Sequence, residues 1–545
     1  MENYSVCHTT SRRASSKIYQ DLRSVRLASL PGLGRDQLLR TMAAMDVFAQ
    51  CKNRDPMAKP HVAVVGAGLA GLRCAHLLQR HGAFRVTVIE ARKRVGGRLY
   101  QEKLSNGHVV DVGPNWIHGT LDNPMHDLAR QTKTAIGRWD ASSHVFDQSG
   151  LLFPANEGER YADVMWDIIQ DAFKQSNKSA DIHSTKSLLD FFHEKVAERF
   201  PHSEHDRRIV LQLAETWGSF VGSPVSRQSL KFFWLEECID GENLFCAGTY
   251  NKILDAVARP VLAESEILFD TKVQRISCRG RQGEKTRVHV LDSSTLGGHE
   301  TVLSFDEVVV TCPLGWLKRN LDAFEPPLPA RLTRAIGSIG YGCLEKVYIS
   351  FPKAFWLSED GHDNQVRGFI QWLSPDYAPD SNPDRWPQEA VELASLEPGA
   401  AHPSLLFYLY GDQSRHVAAK VTALQTEAER DGFLTHYFKP YYSRLPNFSE
   451  ASPDCRASAC LATAWVCDEF AGFGSYSNFQ VGLEEGDEDI KTMRAGLPER
   501  GLWFAGEHTA PFVAVGTATG AYWSGESVGR RVAEAYGLSS EWKGE

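Results

Sequence analysis

Apolar positions first fall into a regular pattern at His61. His61-Val-Ala-Val-Val65 is an unbroken, β-branched run of the length of a buried strand. Gly66-Ala-Gly-Leu-Ala-Gly71 follows. Leu69, Leu72, Ala75 and Leu78 then recur at helical spacing until Gly82 stops the pattern. Arg85-Val-Thr-Val-Ile-Glu90 reads as a second strand, so a strand–helix–strand opening is complete within thirty residues. Helical and mixed segments rich in aromatics fill about 120–260, and strand-like runs return at 267–276, 286–291, 302–311 and 345–351. In the last of these, Val347, Ile349 and Phe351 alternate with Lys346, Tyr348 and Ser350. Periodicity alone therefore makes Lys346 a strand lysine with its ammonium in water, since lysines are almost never fully buried. The Pro- and Asp-rich stretch 374–388 reads as a surface loop, and no internal repeat or low-complexity tract appears.

The chain has 545 residues, 42% of them hydrophobic and 23% charged, enough to bury a sizeable core. Disorder as the main state is excluded, and length alone suggests roughly three to four domain-equivalents. With 59 Lys and Arg against 68 Asp and Glu, the formal net charge is −9. That balance argues against nucleic-acid binding through a basic surface and fits a cationic partner better, without naming one. The apolar runs are too short to span a bilayer, and the first thirty residues hold no signal-peptide core. Eleven scattered cysteines without a Cys-x-x-Cys pair fit reduced thiols and a cytoplasmic location. Residues 1–57 differ: Arg12, Arg13, Lys17, Arg23, Arg26, Arg35 and Arg40 face only Glu2, Asp21 and Asp36 within a Ser-rich stretch. Such composition suits a mitochondrial transit peptide, a disordered extension, or a start codon placed too early, with Met42, Met45 and Met57 as alternatives. Oligomeric state is left open.

The chemistry starts at the glycines. Gly66, Gly68 and Gly71 sit directly after a strand and open a helix. The first suits a tight turn, the second lets backbone approach a pyrophosphate, and the third permits close helix–strand packing. The free N–H groups at the helix start favour phosphate, and Glu90 ends the second strand where a carboxylate can accept hydrogen bonds from an adenosine ribose. Beyond it, Arg92, Arg94 and Arg98 stand with Gly96 and Gly97, offering bidentate donors and close backbone approach. Asp111-Val-Gly-Pro-Asn-Trp-Ile-His-Gly119 forms a second glycine-bounded segment. Near the other end, Gly501-Leu-Trp-Phe-Ala-Gly-Glu-His-Thr509 reads as a strand entering a loop, and Gly516-Thr-Ala-Thr-Gly-Ala-Tyr-Trp-Ser-Gly-Glu526 as a helix start. Gly516, Gly520 and Ser524 share one face, which by itself means ordinary close helix packing.

These segments resemble the flavin-dependent amine oxidase superfamily, specifically its polyamine-oxidase branch, over about residues 60–537. The resemblance implies an α/β protein: a Rossmann-like doubly wound FAD-binding domain (58–135, 240–318, 458–537) interleaved with a mixed-sheet α+β substrate-binding domain (136–239, 319–457), followed by a tail, 538–545. It assigns Gly66, Gly68, Gly71, Glu90, Arg92, Gly97, Arg98, Asn115, Trp116, Val273, Glu507 and Thr517 to FAD. Lys346 becomes the lysine that bonds through water to flavin N5 and favours electron transfer to oxygen. His118, otherwise a loop histidine, would face the amine, and Tyr476 would flank the substrate path. The monoamine oxidases use a cysteine for a covalent flavin link where this chain has Ser475, so FAD is expected to be non-covalent. They also place a second tyrosine at the position of Thr517, so a full aromatic cage is not implied.

The implied reaction is hydride transfer from the carbon beside a neutral amine, imine hydrolysis to an aldehyde and a shortened amine, and reoxidation by molecular oxygen to hydrogen peroxide. The cofactor carries the difficult chemistry, so the lack of a catalytic triad or metal cluster is no objection. The expected substrate is a small amine, most simply a polyamine. Rival readings are an oxidase of another amine or amino acid, a chromatin-type demethylase, and an inactive flavoprotein scaffold. Two acidic clusters, Glu236/Glu237/Asp240/Glu242 and Glu484/Glu485/Asp487/Glu488/Asp489, could attract a polycation, but read first as solvated surface runs and are not assigned to the site.

Overall fold

Five short apolar strands lie side by side, all parallel, in the order Leu502–Phe504, Glu307–Val310, His61–Val65, Arg85–Ile89, Glu266–Leu268. A parallel sheet is covered on both faces and needs near-continuous apolar strands, and Val62–Val65 and Val308–Val310 are buried accordingly. Val65 is level with both Ile89 and Val310, and Val310 with Phe504. The loops leaving these strands therefore share one edge, where open α/β sheets bind ligands. This computed structural model describes residues 59–137, 142–179, 181–280, 284–294, 298–357 and 365–538. The expected amino-terminal extension, 1–57, and the tail beyond 538 lie outside the described residues.

The helical stripe forms a helix over Leu69–Arg80, ended by Gly82 at φ 71°. The helix Ala518–Ala535 crosses it so closely that a Cβ on Gly525 would stand 2.1 Å from the Ala70 carbonyl oxygen. Arg73 and Glu526 pair at 2.9 Å beside that crossing. The small-residue face is also a packing face: a Cβ on Gly520 would lie 1.9 Å from Ala514 O, and Ser524 Oγ accepts Gly506 N–H at 2.9 Å.

Two sequence runs divide between sheets. Asp270, at φ 50°, turns the chain from Glu266–Leu268 into Thr271–Ser277. The run 302–311 breaks at Asp306, whose carboxylate accepts the His61 N–H at 2.8 Å. Thr271–Ser277 joins Thr286–Asp292, His299–Phe305 and Phe324–Glu325 in a four-stranded sheet.

A six-stranded mixed sheet has the order Ala459–Ala462, Leu344–Ser350, Ser404–Tyr410, Gln388–Glu392, Phe369–Trp372, Ser143–Phe146; only the last pairing is parallel. All seven residues of Leu344–Ser350 are buried, so the expected watery face for Lys346 is wrong. The alternation survives as two different buried faces. Val347 and Ile349 pack with Phe407, Trp356 and Phe438, whereas Leu344 and Tyr348 pack with Leu406 and Tyr408. A helical layer (Ala155–Lys178, Leu188–Arg199, Glu204–Thr216) buries Ile168, Phe192, Leu213 and Trp217 in its own apolar cluster. The stretch 374–387 lacks helix and strand as expected, while Gln388 already belongs to a strand; Asn382 is fully buried and donates to Tyr441 Oη at 2.9 Å. No helix of the described residues is long and apolar enough to cross a membrane.

Candidate active site

The edge after Val65, Ile89 and Phe504 is built as a cradle. Gly66 sits at φ 104°, and Gly71 comes so near that a Cβ would lie 2.0 Å from the Gly66 carbonyl oxygen. Gly68 is the opposite case: a Cβ there would meet nothing within 4 Å. The turn is thus tight beneath and open above, as backbone that must meet a large ligand requires. Glu90 accepts Ala67 N–H at 2.7 Å on one oxygen and Arg92 N–H at 2.9 Å on the other, which locks the turn and leaves further lone pairs. Gly97, at φ 59°, places its Cβ direction 3.4 Å from Gly68 Cα, so the Arg92–Arg98 loop runs against the turn. Val273 is buried in the same apolar cluster as Val65 and Ile89.

The arginines divide their work. Arg92 pairs with Asp468 at 2.5 Å and lies 5.0 Å over the Phe470 ring. Arg94 donates to Gly97 O at 2.9 Å and stacks on Tyr100, holding the loop. Arg98 bridges Ser475 O at 2.6 Å, Tyr341 Oη at 3.3 Å and Glu507 Oε1 at 3.1 Å. Glu507 is buried and also accepts Ser477 N–H at 3.3 Å and the Ser477 hydroxyl. Thr517 Oγ1 accepts Gly520 N–H at 2.9 Å and so caps the helix that follows. Gly516, at φ 81°, faces Tyr476, whose Cδ2 would lie 3.4 Å from a Cβ there.

Lys346 enters from the mixed sheet. Its ammonium donates to Gly113 O and lies 5.9 Å from the Tyr408 ring. Burial pushes its pKa down, opposed by the carboxylates of Asp111 and Glu345. Burial pushes the Asp111 carboxyl up, opposed by hydrogen bonds from Gln101 and Tyr250 N–H and by Lys346. A network holds this wall: Asn115 donates to Tyr348 Oη at 3.1 Å, Tyr348 donates to Asp111 O at 2.7 Å, and Trp116 Nε1 donates to Tyr408 Oη at 3.1 Å. Trp116, Tyr408 and Tyr476 belong to one apolar cluster, and Tyr476 donates to Phe220 O at 2.6 Å.

Lys346, Asn115, Trp116 and Tyr476 are thus brought together. His118 is not: its ring bonds Asn243, burial pushes its pKa down, and no contact with Lys346 or Tyr476 appears among the described residues. Its loop is nonetheless tied to the site, because Asn123 donates to His118 O at 3.0 Å and accepts from Thr519 Oγ1 at 2.8 Å. Tyr408 and Asn123 escape sequence reasoning, and Glu236 is named by it but set aside. The acidic run containing Glu236 is not uniformly solvated. Burial pushes the Glu236 carboxyl up to about 8, opposed by a hydrogen bond from the Phe479 backbone; among the described residues its Oε1 has no partner, and its charge reaches Tyr476. The only sequence signal was its place after the apolar Phe232-Phe-Trp-Leu235.

A family model described as Flavin containing amine oxidoreductase matches residues 69–533. The chain belongs to the flavin-containing amine oxidoreductase family. A second model, pyridine nucleotide-disulphide oxidoreductase, matches 23–108, the stretch holding the glycine turn. The chain is 29% identical over 466 residues to Protein FLOWERING LOCUS D of Arabidopsis thaliana, covering 83% of this chain and 53% of that protein. It is 26% identical over 488 residues to Probable polyamine oxidase 4 of the same plant, covering 86% of each. It is 28% identical over 492 residues to Lysine-specific histone demethylase 1 homolog 3 of Oryza sativa subsp. indica, covering 84% of this chain and 52% of that protein. The chain thus spans about half the length of the first and third relatives. Flavin-dependent amine oxidation is common ground for this family, and the cradle fits FAD: open space over Gly68, a carboxylate at Glu90 with lone pairs to spare beside the turn, and a converging Arg98–Glu507 pair.

Proposed function

We propose that the protein is an FAD-dependent oxidase of polyamines, with FAD held non-covalently. The observation that carries this reading is the Glu236 carboxyl, desolvated and short of a partner beside Tyr476. A buried carboxyl with a raised pKa is held neutral until a cation arrives; an ammonium within about 4 Å makes the ionised form favourable. A substrate with one amine at the reacting end and a second, charged amine farther along satisfies that arrangement. The coverage of Probable polyamine oxidase 4 at 86% of both chains supports the same reading.

When bound, FAD supplies the acceptor for a hydride from the carbon beside a neutral amine. The Gly66–Gly71 turn and Glu90 would hold its adenosine side; Arg98, Glu507 and the Thr517-capped helix would hold the other end. Ser475 carries no thiol, and its Oγ accepts Leu344 N–H at 3.2 Å, which supports a flavin without a protein bond. Lys346 keeps a proton at Nζ against Gly113 O, with Asp111 near enough to share its charge. Trp116, Tyr408 and Tyr476 exclude water and offer ring faces to the amine.

Anaerobic flavin bleaching tests the proposal. Spermine, spermidine and their acetyl forms should bleach the FAD-loaded protein faster than benzylamine, amino acids or a methyl-lysine peptide. A methyl-lysine peptide that bleaches fastest moves the substrate to the demethylase reading, and no bleaching by any amine defeats both. Glu236→Gln should raise KM for a polyamine at least tenfold and leave KM for a monoamine within about twofold, one lost charge contact being roughly 1.4 kcal/mol or more.

A further inference from the structure

A cavity of about 450 Å³ lies outside the residues of the glycine turn. Its walls include Lys318, Arg319, Arg415, Tyr341, Phe473 and Cys467. Neither the Gly66–Gly71 turn, Glu90, Lys346 nor Tyr476 lines it. Its electrostatics are unbalanced. Arg319 lies 4.8 Å over the Phe473 ring and enters no ion pair among the described residues. Lys318 donates to Gly337 O at 2.7 Å and likewise has no carboxylate there. Burial and the neighbouring Arg319 both push the Lys318 ammonium down. Among the described residues, only Arg415 of the three cations has a counter-charge, Asp412 at 2.9 Å. Two positive charges, one partly desolvated, thus face a cavity without compensation, an arrangement that an entering anion relieves.

The aromatic wall is held deliberately. Phe473 is exposed at 36% and takes φ 58°, a backbone region that β- and γ-bulky residues rarely adopt. Gly472 before it has φ 77°, and a Cβ there would meet Trp316 N at 2.5 Å, so the turn is wedged against the short helix Leu314–Arg319 that carries both cations. Phe473 N–H donates to Asp468 O at 2.9 Å and fixes the turn from the other side. An exposed aromatic kept in a strained conformation beneath a free guanidinium has the character of a binding surface. The cavity is too large for a bare anion and falls in the range of small-molecule sites.

We propose that this cavity binds a small phosphate-bearing ligand with a planar aromatic portion, of the nucleoside phosphate class, at a site separate from the FAD cradle. The phosphate would lie between Lys318 and Arg319, whose planar fork suits two phosphate oxygens, and the planar group against Phe473 or Tyr341. Tyr341 also connects the cavity to the cofactor side: its hydroxyl donates to Ala471 O at 2.6 Å and accepts from Arg98 at 3.3 Å. A ligand pressed on Tyr341 is therefore one side chain from the Arg98–Glu507 pair.

The test uses FAD-loaded protein at low salt, titrated calorimetrically with AMP, adenosine and inorganic phosphate. AMP should bind with a submillimolar Kd, and adenosine and phosphate at least tenfold more weakly; phosphate binding as tightly as AMP would remove the aromatic part of the proposal. Cys467, an exposed thiol in the cavity, reports location: AMP should slow its alkylation, read by peptide mass, and adenosine at the same concentration should not. Arg319→Gln, with unchanged FAD content as its folding control, should weaken AMP at least tenfold and abolish that protection. Lys318→Gln should weaken it similarly; if loss of the Gly337 contact unfolds that variant, Arg319→Gln alone decides. No AMP binding at 5–10-fold above about 1 mM, binding without Cys467 protection, or full affinity in Arg319→Gln overturns the proposal.

Discussion

Gly68 and Gly71 lie three residues apart and should respond in opposite ways to the same added methyl group. At Gly71 the new Cβ would stand 2.0 Å from the Gly66 carbonyl oxygen and 3.0 Å from Thr311 Oγ1. Non-bonded heavy atoms settle near 3.5 Å, so backbone must yield by about 1.5 Å. Overpacking of this kind costs about 3 kcal/mol. At Gly68 the Cβ meets nothing within 4 Å, and the backbone sits at φ −74°, ψ 177°, which alanine adopts freely. Gly68→Ala should therefore stabilise the cofactor-free protein by about 0.4–1 kcal/mol, through a less disordered unfolded chain. Its cost appears only with the cofactor. FAD at 100 times its Kd stabilises the wild type by about 2.7 kcal/mol, and a hundredfold loss of affinity reduces that to about 0.4 kcal/mol at the same concentration. Denaturation midpoints with and without FAD, together with flavin absorbance after gel filtration, separate the two variants. Gly68→Ala that loses midpoint without FAD, or keeps the full FAD increment, would refute the cradle.

Three further outcomes follow from the same geometry. His508 is fully buried, its ring nitrogens have no partner among the described residues, and burial pushes its pKa to about 4. The unfolded imidazole then binds more protons than the native one between about pH 6.5 and 4, so stability falls as pH drops through that window, by on the order of 3 kcal/mol; His508→Gln should flatten this slope in denaturant titrations. Arg98→Met leaves the buried Glu507 carboxylate without its cation and should cost about 3 kcal/mol together with FAD affinity, measured by urea unfolding and flavin release. Lys346→Met should preserve FAD content and slow flavin reoxidation at least tenfold in stopped-flow with oxygen; unchanged reoxidation would take Lys346 out of the reaction.

The glycine turn was legible because its chemistry is local: strand, three glycines, helix and carboxylate all fall within thirty residues. Lys346 shows where local reading ends. Alternation correctly separated its face from that of Val347, but which faces are covered depends on strands Ala459–Ala462 and Ser404–Tyr410, far along the chain. Glu236 was misread for a related reason. A run of acids looks solvated until Tyr476, 240 positions later, is found beside its first member. Arg92 and Asp468 are 376 residues apart, and no spacing rule links such a pair. Asn123 carries no motif, and its importance lies entirely in bridging His118 and Thr519.

The parallel sheet has a consequence for biosynthesis. Its innermost strand, His61–Val65, leaves the ribosome early, yet the edge strand Leu502–Phe504 and Glu507 come from the far end of the chain. Glu507 follows Gly71 by 436 positions. At about 5–20 residues per second, the first half of the cradle waits roughly 20–90 seconds for the second. During that interval the carboxyl edge of the sheet lacks Glu507 and the strand before it, so flavin loading is expected to follow synthesis of the last ninety residues. A nascent chain stalled before residue 500 should be colourless, and chaperones that shield the Val62–Val65 strand would govern the yield of active protein.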